Sequence, residues 1–112
     1  MSLLAKAKGH YTNILAKEPL KIEVPEWDAT VYAKPSIPLA KLGEIMELAN
    51  SGKSAEAMVM TLIYRLMDEE GNPVFRKAER NEIMRQVDPD VISRTVTQMS
   101  EDNVTEDDIV KN

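Results

Sequence analysis

The chain has 112 residues, a net charge of −5 and no cysteine. That length holds one domain with one core, and the missing thiols exclude disulfides, thiolate metal sites and cysteine nucleophiles. Residues 1–53 carry seven lysines against six acids, whereas residues 54–112 carry seven basic groups against thirteen acids; an acidic balance suits solubility and is wrong for nucleic acid, whose phosphates need clustered Lys and Arg.

Leu4, Ala7, Tyr11 and Ile14 recur at steps of three, four and three, with Leu3 and Leu15 alongside, which predicts an amphipathic helix over residues 3–16. Lys6, Lys8 and Lys17 interrupt any apolar run, so the segment does not read as a signal peptide, and a soluble cytoplasmic chain is expected. So short a helix is marginal alone and must dock on its own domain, on another copy or on a partner.

From Leu20 the apolar period changes to two. Leu20, Ile22 and Val24 alternate with charged residues, and after Pro25-Glu26 the alternation resumes with Trp27, Ala29, Val31 and Ala33. This predicts a β-hairpin with Pro25 at its turn, since proline cannot donate a ladder hydrogen bond. Ser36 is the expected N-cap of a helix to about Asn50, with Leu39, Leu42, Ile45, Met46 and Ala49 as its apolar arc. Gly52 is suited to a left-handed helix end. Ser54 is then expected to cap the next helix.

That helix, residues 55–67, is the expected centre of the fold. Ser54, Thr61, Arg65 and Asp68 fall on one narrow strip, and apolar side chains occupy most of the remaining circumference. It is too short to span a membrane, so its burial is expected against protein. A second reading leaves part of its surface open, with Met46, Met58, Met60 and Met67 offering adaptable thioethers to a partner.

Asp68 to Pro73 reads as a turn, followed by an extended Val74-Phe75. A helix is expected over residues 77–87 with Ile83, Met84 and Val87 inward. Asp88-Pro89-Asp90 starts another, running to about Met99 with Val91, Ile92, Val96 and Met99 on one face. Glu101, Asp102, Glu106, Asp107 and Asp108 make the end acidic. The expected organisation is a helix over 1–18, a hairpin plus helical domain over 19–99, and a flexible acidic tail over 100–112. The fold class is mainly α, a small domain of four to five helices with an N-terminal β-hairpin.

Little in the chain supports catalysis. His10 stands alone, the acidic clusters lack the alternating spacing and glycine of a calcium loop, and the four glycines are too scattered to cradle a phosphate. No enzyme, cofactor or metal is expected. Residues 77–99 have the outline of a helix-turn-helix in which Arg94, Thr95, Thr97 and Gln98 would face a DNA groove. Asp88 and Asp90 would then stand where phosphate contacts are wanted.

The stretch Lys21-Ile22-Glu23-Val24-Pro25-Glu26-Trp27-Asp28-Ala29-Thr30-Val31-Tyr32-Ala33-Lys34-Pro35 resembles the N-terminal region of tail assembly chaperones of long-tailed bacteriophages. The Met-Ser-Leu-Leu start, the apolar central helix, the Asp68 to Phe75 loop and the Lys-Asn end match in the same order. The resemblance implies a protein of the host cytoplasm that coats the tape measure protein and keeps it soluble until the tail tube polymerises. It further implies homo-oligomers, no nucleic-acid or membrane partner, and in some cases a longer frameshifted product, with which the terminal Val110-Lys111-Asn112 is compatible. The expected docking groove lies between the helical hairpin 38–67 and the β-hairpin, with Trp27, Tyr32, Leu42, Met46, Met58 and Leu62 as its contact residues. The alternative reading is a structural virion component, a tail-completion or connector subunit.

Overall fold

The computed structural model describes residues 2–111, with side chains described from Ser2 to Ser100. Five helices, α1 (Leu3–Leu15), α2 (Leu39–Asn50), α3 (Ser54–Arg65), α4 (Arg80–Gln86) and α5 (Pro89–Lys111), surround three short strands. The strands are β1 (Leu20–Val24), β2 (Ala29–Ala33) and β3 (Leu66–Met67), hydrogen-bonded in the order β1-β2-β3.

The β-hairpin forms where the alternation places it. Leu20 pairs with Ala33 and Val24 with Ala29 in antiparallel register, so Ile22, Val24, Val31 and Ala33 all point into the core. The second strand starts at Ala29, two residues later than expected. Pro25–Trp27 instead form a 3-10 turn, and Asp28 is left-handed at φ 50°, a conformation that a short polar side chain tolerates.

The third strand has no periodic signal in the sequence. Leu66 leaves the central helix with extended angles and pairs with Ala33, while Met67 pairs with Tyr32. The central helix therefore ends at Arg65. Two clamps hold this exit: Lys34 N–H donates to the Arg65 carbonyl at 2.9 Å, and the Arg65 guanidinium donates back to the Lys34 carbonyl at 2.7 Å. The following turn closes on Asp68, whose carboxylate accepts from the amides of Glu70 and Asn72, both at 2.9 Å.

α3 carries the core. Ala57, Val59, Met60, Leu62 and Ile63 are buried, against the sheet on one side and against α5 through Val91, Ile92 and Met99 on another. The two serine caps expected at Ser36 and Ser54 do not form. Pro38 occupies the cap position of α2 with an extended ψ of 149°, and Ser54 lies inside α3 with Lys53 before it. The turn between them is as expected: Gly52 at φ 79°, its N–H on the Ala49 carbonyl and that of Lys53 on the Leu48 carbonyl, the paired bonds of a Schellman motif.

The expected 77–87 helix is split into a 3-10 turn, Lys77–Glu79, and α4. Ile83 is buried but Met84 faces outward, because only one side of this two-turn helix touches the domain. The Asp88 carboxylate accepts from Asp90 N–H at 3.0 Å, capping α5 as predicted. α5 continues to Lys111, beyond the Met99 end read from the sequence; the flexible acidic end expected over 100–112 lies, from Glu101 onward, outside the residues whose side chains are described.

Candidate functional site

α2 is built as a two-faced helix. Ile45 and Leu48 pack on the core, and the side toward α3 is pinned by polar contacts. Lys41 Nζ lies 5.1 Å from the centre of the Tyr64 ring, the Tyr64 hydroxyl donates to Glu44, and Glu44 meets Lys77 at 3.9 Å. Desolvation, and then the Glu44 carboxylate that needs the proton, push the Tyr64 pKa up to about 12. The helix is thus fixed in rotation, and its opposite face is held toward solvent.

That face is apolar. Leu39, Leu42 and Met46 are 79%, 41% and 52% exposed, and with the exposed Ala49 they recur at steps of three, four and three along one stripe. Beside it Pro35, Ser36, Ile37, Leu42, Ile45, Thr61 and Arg65 line a groove of 210 Å³. Such a stripe with an adjoining groove can accept the apolar face of a partner helix at i, i+3 and i+7 spacing. On the other flank of α2 a charged depression of 270 Å³ includes Glu44, Glu47, Lys53, Lys77 and Arg80.

The six contact residues expected from the sequence are not brought together. Leu42 and Met46 share the α2 stripe. Leu62 is 0% exposed at the centre of the core and offers no surface, so it leaves the set. Met58 is half-buried against the core, and Met60 is buried; of the four methionines proposed as an open surface, Met46 alone is largely exposed. Trp27 stands edge-on to Phe75, ring centres 5.6 Å apart at 89°, which commits much of its surface within the chain. Tyr32 lies on the outer face of the sheet between Lys21 and Met67. The groove beside Leu42 is lined without Trp27 or Tyr32. Leu39, the most exposed residue of the stripe, was expected inside the apolar arc. Its signal was readable: the arc of α2 is wider than one packed face requires, and Leu39, Leu42, Met46 and Ala49 form a seam distinct from Ile45 and Leu48.

A second apolar surface belongs to α1. The Ser2 hydroxyl caps it, accepting from Ala5 N–H at 3.1 Å, and Tyr11 and Ile14 are half-buried. Leu3, Leu4 and Leu15 are 82%, 65% and 46% exposed. The first turn of the face predicted to dock is thus uncovered in a single copy, whereas its Tyr11 and Ile14 end is half-buried, with the Tyr11 hydroxyl out of solvent.

The helix-turn-helix outline does not present a recognition surface. Thr95 is fully buried and donates to the Val91 carbonyl at 2.8 Å. Arg94 is held by both Glu26 carboxylate oxygens at 2.7 and 2.6 Å. This pair straps α5 to the hairpin turn, and the Arg94 hydrogen bonds hold the Glu26 carboxyl at about 2. Among the described residues no helix is long and apolar enough to cross a membrane.

No family model and no curated protein matches the sequence. Among solved structures, the tail assembly chaperone of bacteriophage HK97 shares the fold at a TM-score of 0.61 and 20% sequence identity, over 80% of this chain and 94% of that one. The hairpin and helical body read from the sequence are thus a known arrangement.

Proposed function

We propose that this protein is a tail assembly chaperone of a long-tailed bacteriophage, acting in the cytoplasm of the bacterial host and absent from the finished virion. The observation that carries the reading is the fold shared with the HK97 chaperone over most of both chains, supported by the hairpin sequence from Lys21 to Pro35 and by the α2 stripe. Its client is the tape measure protein, whose apolar helical segments dock on Leu39, Leu42 and Met46 and on the groove beside them. An unbranched thioether at Met46 suits successive segments of differing shape. The mechanism is passive: the chaperone shields apolar helix faces from aggregation, and tube subunits displace it as they polymerise.

The test is co-expression with the tape measure gene of the same genome. The wild-type chain should bring the tape measure into the soluble fraction and co-purify with it. Leu42→Glu and Met46→Glu should lose this co-purification while keeping the wild-type circular dichroism. Variants that solubilise the client as well as wild type would remove the stripe from the mechanism. A stoichiometric amount of the chain in purified virions would favour the structural-component reading instead.

A further inference from the structure

We infer that Gly43 is a specificity-determining residue of the α2 surface: it opens a recess that selects client helices carrying an aromatic side chain with basic residues beside it. The inference deepens the chaperone reading and rests on it.

Its starting point is a glycine that the fold does not require. Gly43 lies in the middle of α2, where glycine is the poorest helix former other than proline. At 100° per residue it points well away from Ile45 and Leu48, which pack on the core. A Cβ added at Gly43 would meet nothing within 4 Å, and its φ is not left-handed. Alanine would fit there and would strengthen the helix. Close packing and backbone conformation within the chain therefore do not account for this residue. The reason left for a glycine inside a helix is close approach by another molecule.

The neighbours of Gly43 define what approaches. Leu39, Leu42, Gly43 and Met46 stand at i, i+3, i+4 and i+7, the four corners of a hole that takes one side chain from a facing helix. Three corners are exposed apolar side chains, and the fourth is open down to the backbone. A hole with four side chains takes a leucine-sized knob; with one corner empty it takes a larger one. Met46, one of the walls, carries a polarisable sulfur that favours an aromatic ring. Leu42 is also a wall of the adjoining groove, with Pro35, Ile37 and Ile45, which offers the next apolar residue of the client a second recess. Charge sets the flank. Glu47 follows Gly43 by one turn in the same row, is exposed, and makes no ion pair among the described residues. A basic side chain of the client complements it, as does a basic segment the net charge of −5.

The probe is a fluorescein-labelled amphipathic peptide with one tryptophan in the middle of its apolar face and lysines on either flank, titrated into the full-length protein and followed by anisotropy. Replacing the tryptophan by alanine should weaken binding by about tenfold or more, and glutamates in place of the lysines should weaken it further. Gly43→Ala should weaken the tryptophan peptide by about tenfold and leave the alanine peptide unchanged, while raising the melting temperature by about 2–5 °C. A merely structural glycine would not gain stability and lose binding together. Equal binding of the tryptophan peptide by Gly43→Ala and wild type overturns the inference, as does a wild type that binds no peptide or does not prefer tryptophan to alanine. Glutamate flanks that bind as well as lysine flanks overturn the charge assignment. Light scattering in which Gly43→Ala dissociates a wild-type oligomer with peptide binding unchanged would give the recess to a second copy, and overturns it too. Tape measure co-purification is read separately: capture by wild type and Gly43→Ala alike would remove the role of Gly43 and leave the proposed function standing.

Discussion

Leu62→Ala should separate the core of this protein from its docking surface. Leu62 is fully buried on α3 within the core cluster, and truncation removes about three carbon groups at about 0.8 kcal/mol each, plus a contribution from the cavity left behind. The expected loss is about 3 kcal/mol. A chain of this length has a stability of roughly 6–17 kcal/mol, so the variant should still fold, with a melting temperature lower by about 12 °C. Leu39→Ala removes the same groups from a side chain that is already 79% exposed. Its loss should be about 0.5 kcal/mol or less, offset in part by the better helix propensity of alanine. Urea unfolding followed by far-UV circular dichroism and by fluorescence of Trp27, the single tryptophan, measures both variants, with the slope m expected to stay constant. Equal losses for the two would refute the division of α2 and α3 into an outward stripe and an inward core.

The Glu26–Arg94 strap predicts an acid dependence. The folded Glu26 carboxyl is held at about 2 against an ordinary 4.5, so its contribution is fully present above pH 4.5 and is lost as pH falls through 2; wild type should lose urea resistance across that window more steeply than Glu26→Gln, and parallel profiles would remove the strap as a cause. Gly52→Ala puts a side chain into a backbone at φ 79° with open space around it, so the cost is conformational, about 1–2 kcal/mol; urea denaturation that finds no loss would mean that the α2–α3 turn relaxes out of its left-handed form.

How much was legible follows from the range of each interaction. Several local signals hold: alternation over Leu20–Val24 specifies a strand, Asp88-Pro89-Asp90 caps α5, Gly52 closes α2, and the apolar circumference of α3 marks it as central, while the serine caps at Ser36 and Ser54 do not form. Each rests on backbone conformation or on solvent avoidance within a few residues. The resemblance of the Lys21 to Pro35 hairpin to phage tail assembly chaperones agrees with the fold shared with the HK97 protein. β3 could not be read, because Leu66 and Met67 are strand only by virtue of their partners Ala33 and Tyr32, more than thirty residues earlier.

The structure divides the expected docking residues for a related reason. Leu42 and Leu62 are the same residue type on adjacent helices, and hydropathy cannot tell which of them a third element will cover. Leu62 is sealed inside the core cluster, whereas Leu39, Leu42 and Met46 stay 79%, 41% and 52% exposed. By itself the sequence determined where the helices and the β-hairpin lie, though not all their ends, and which faces avoid water. Only the tertiary structure decided which apolar faces are already spent on the core and which are left for another chain, because burial is a property of the elements on both sides of a contact.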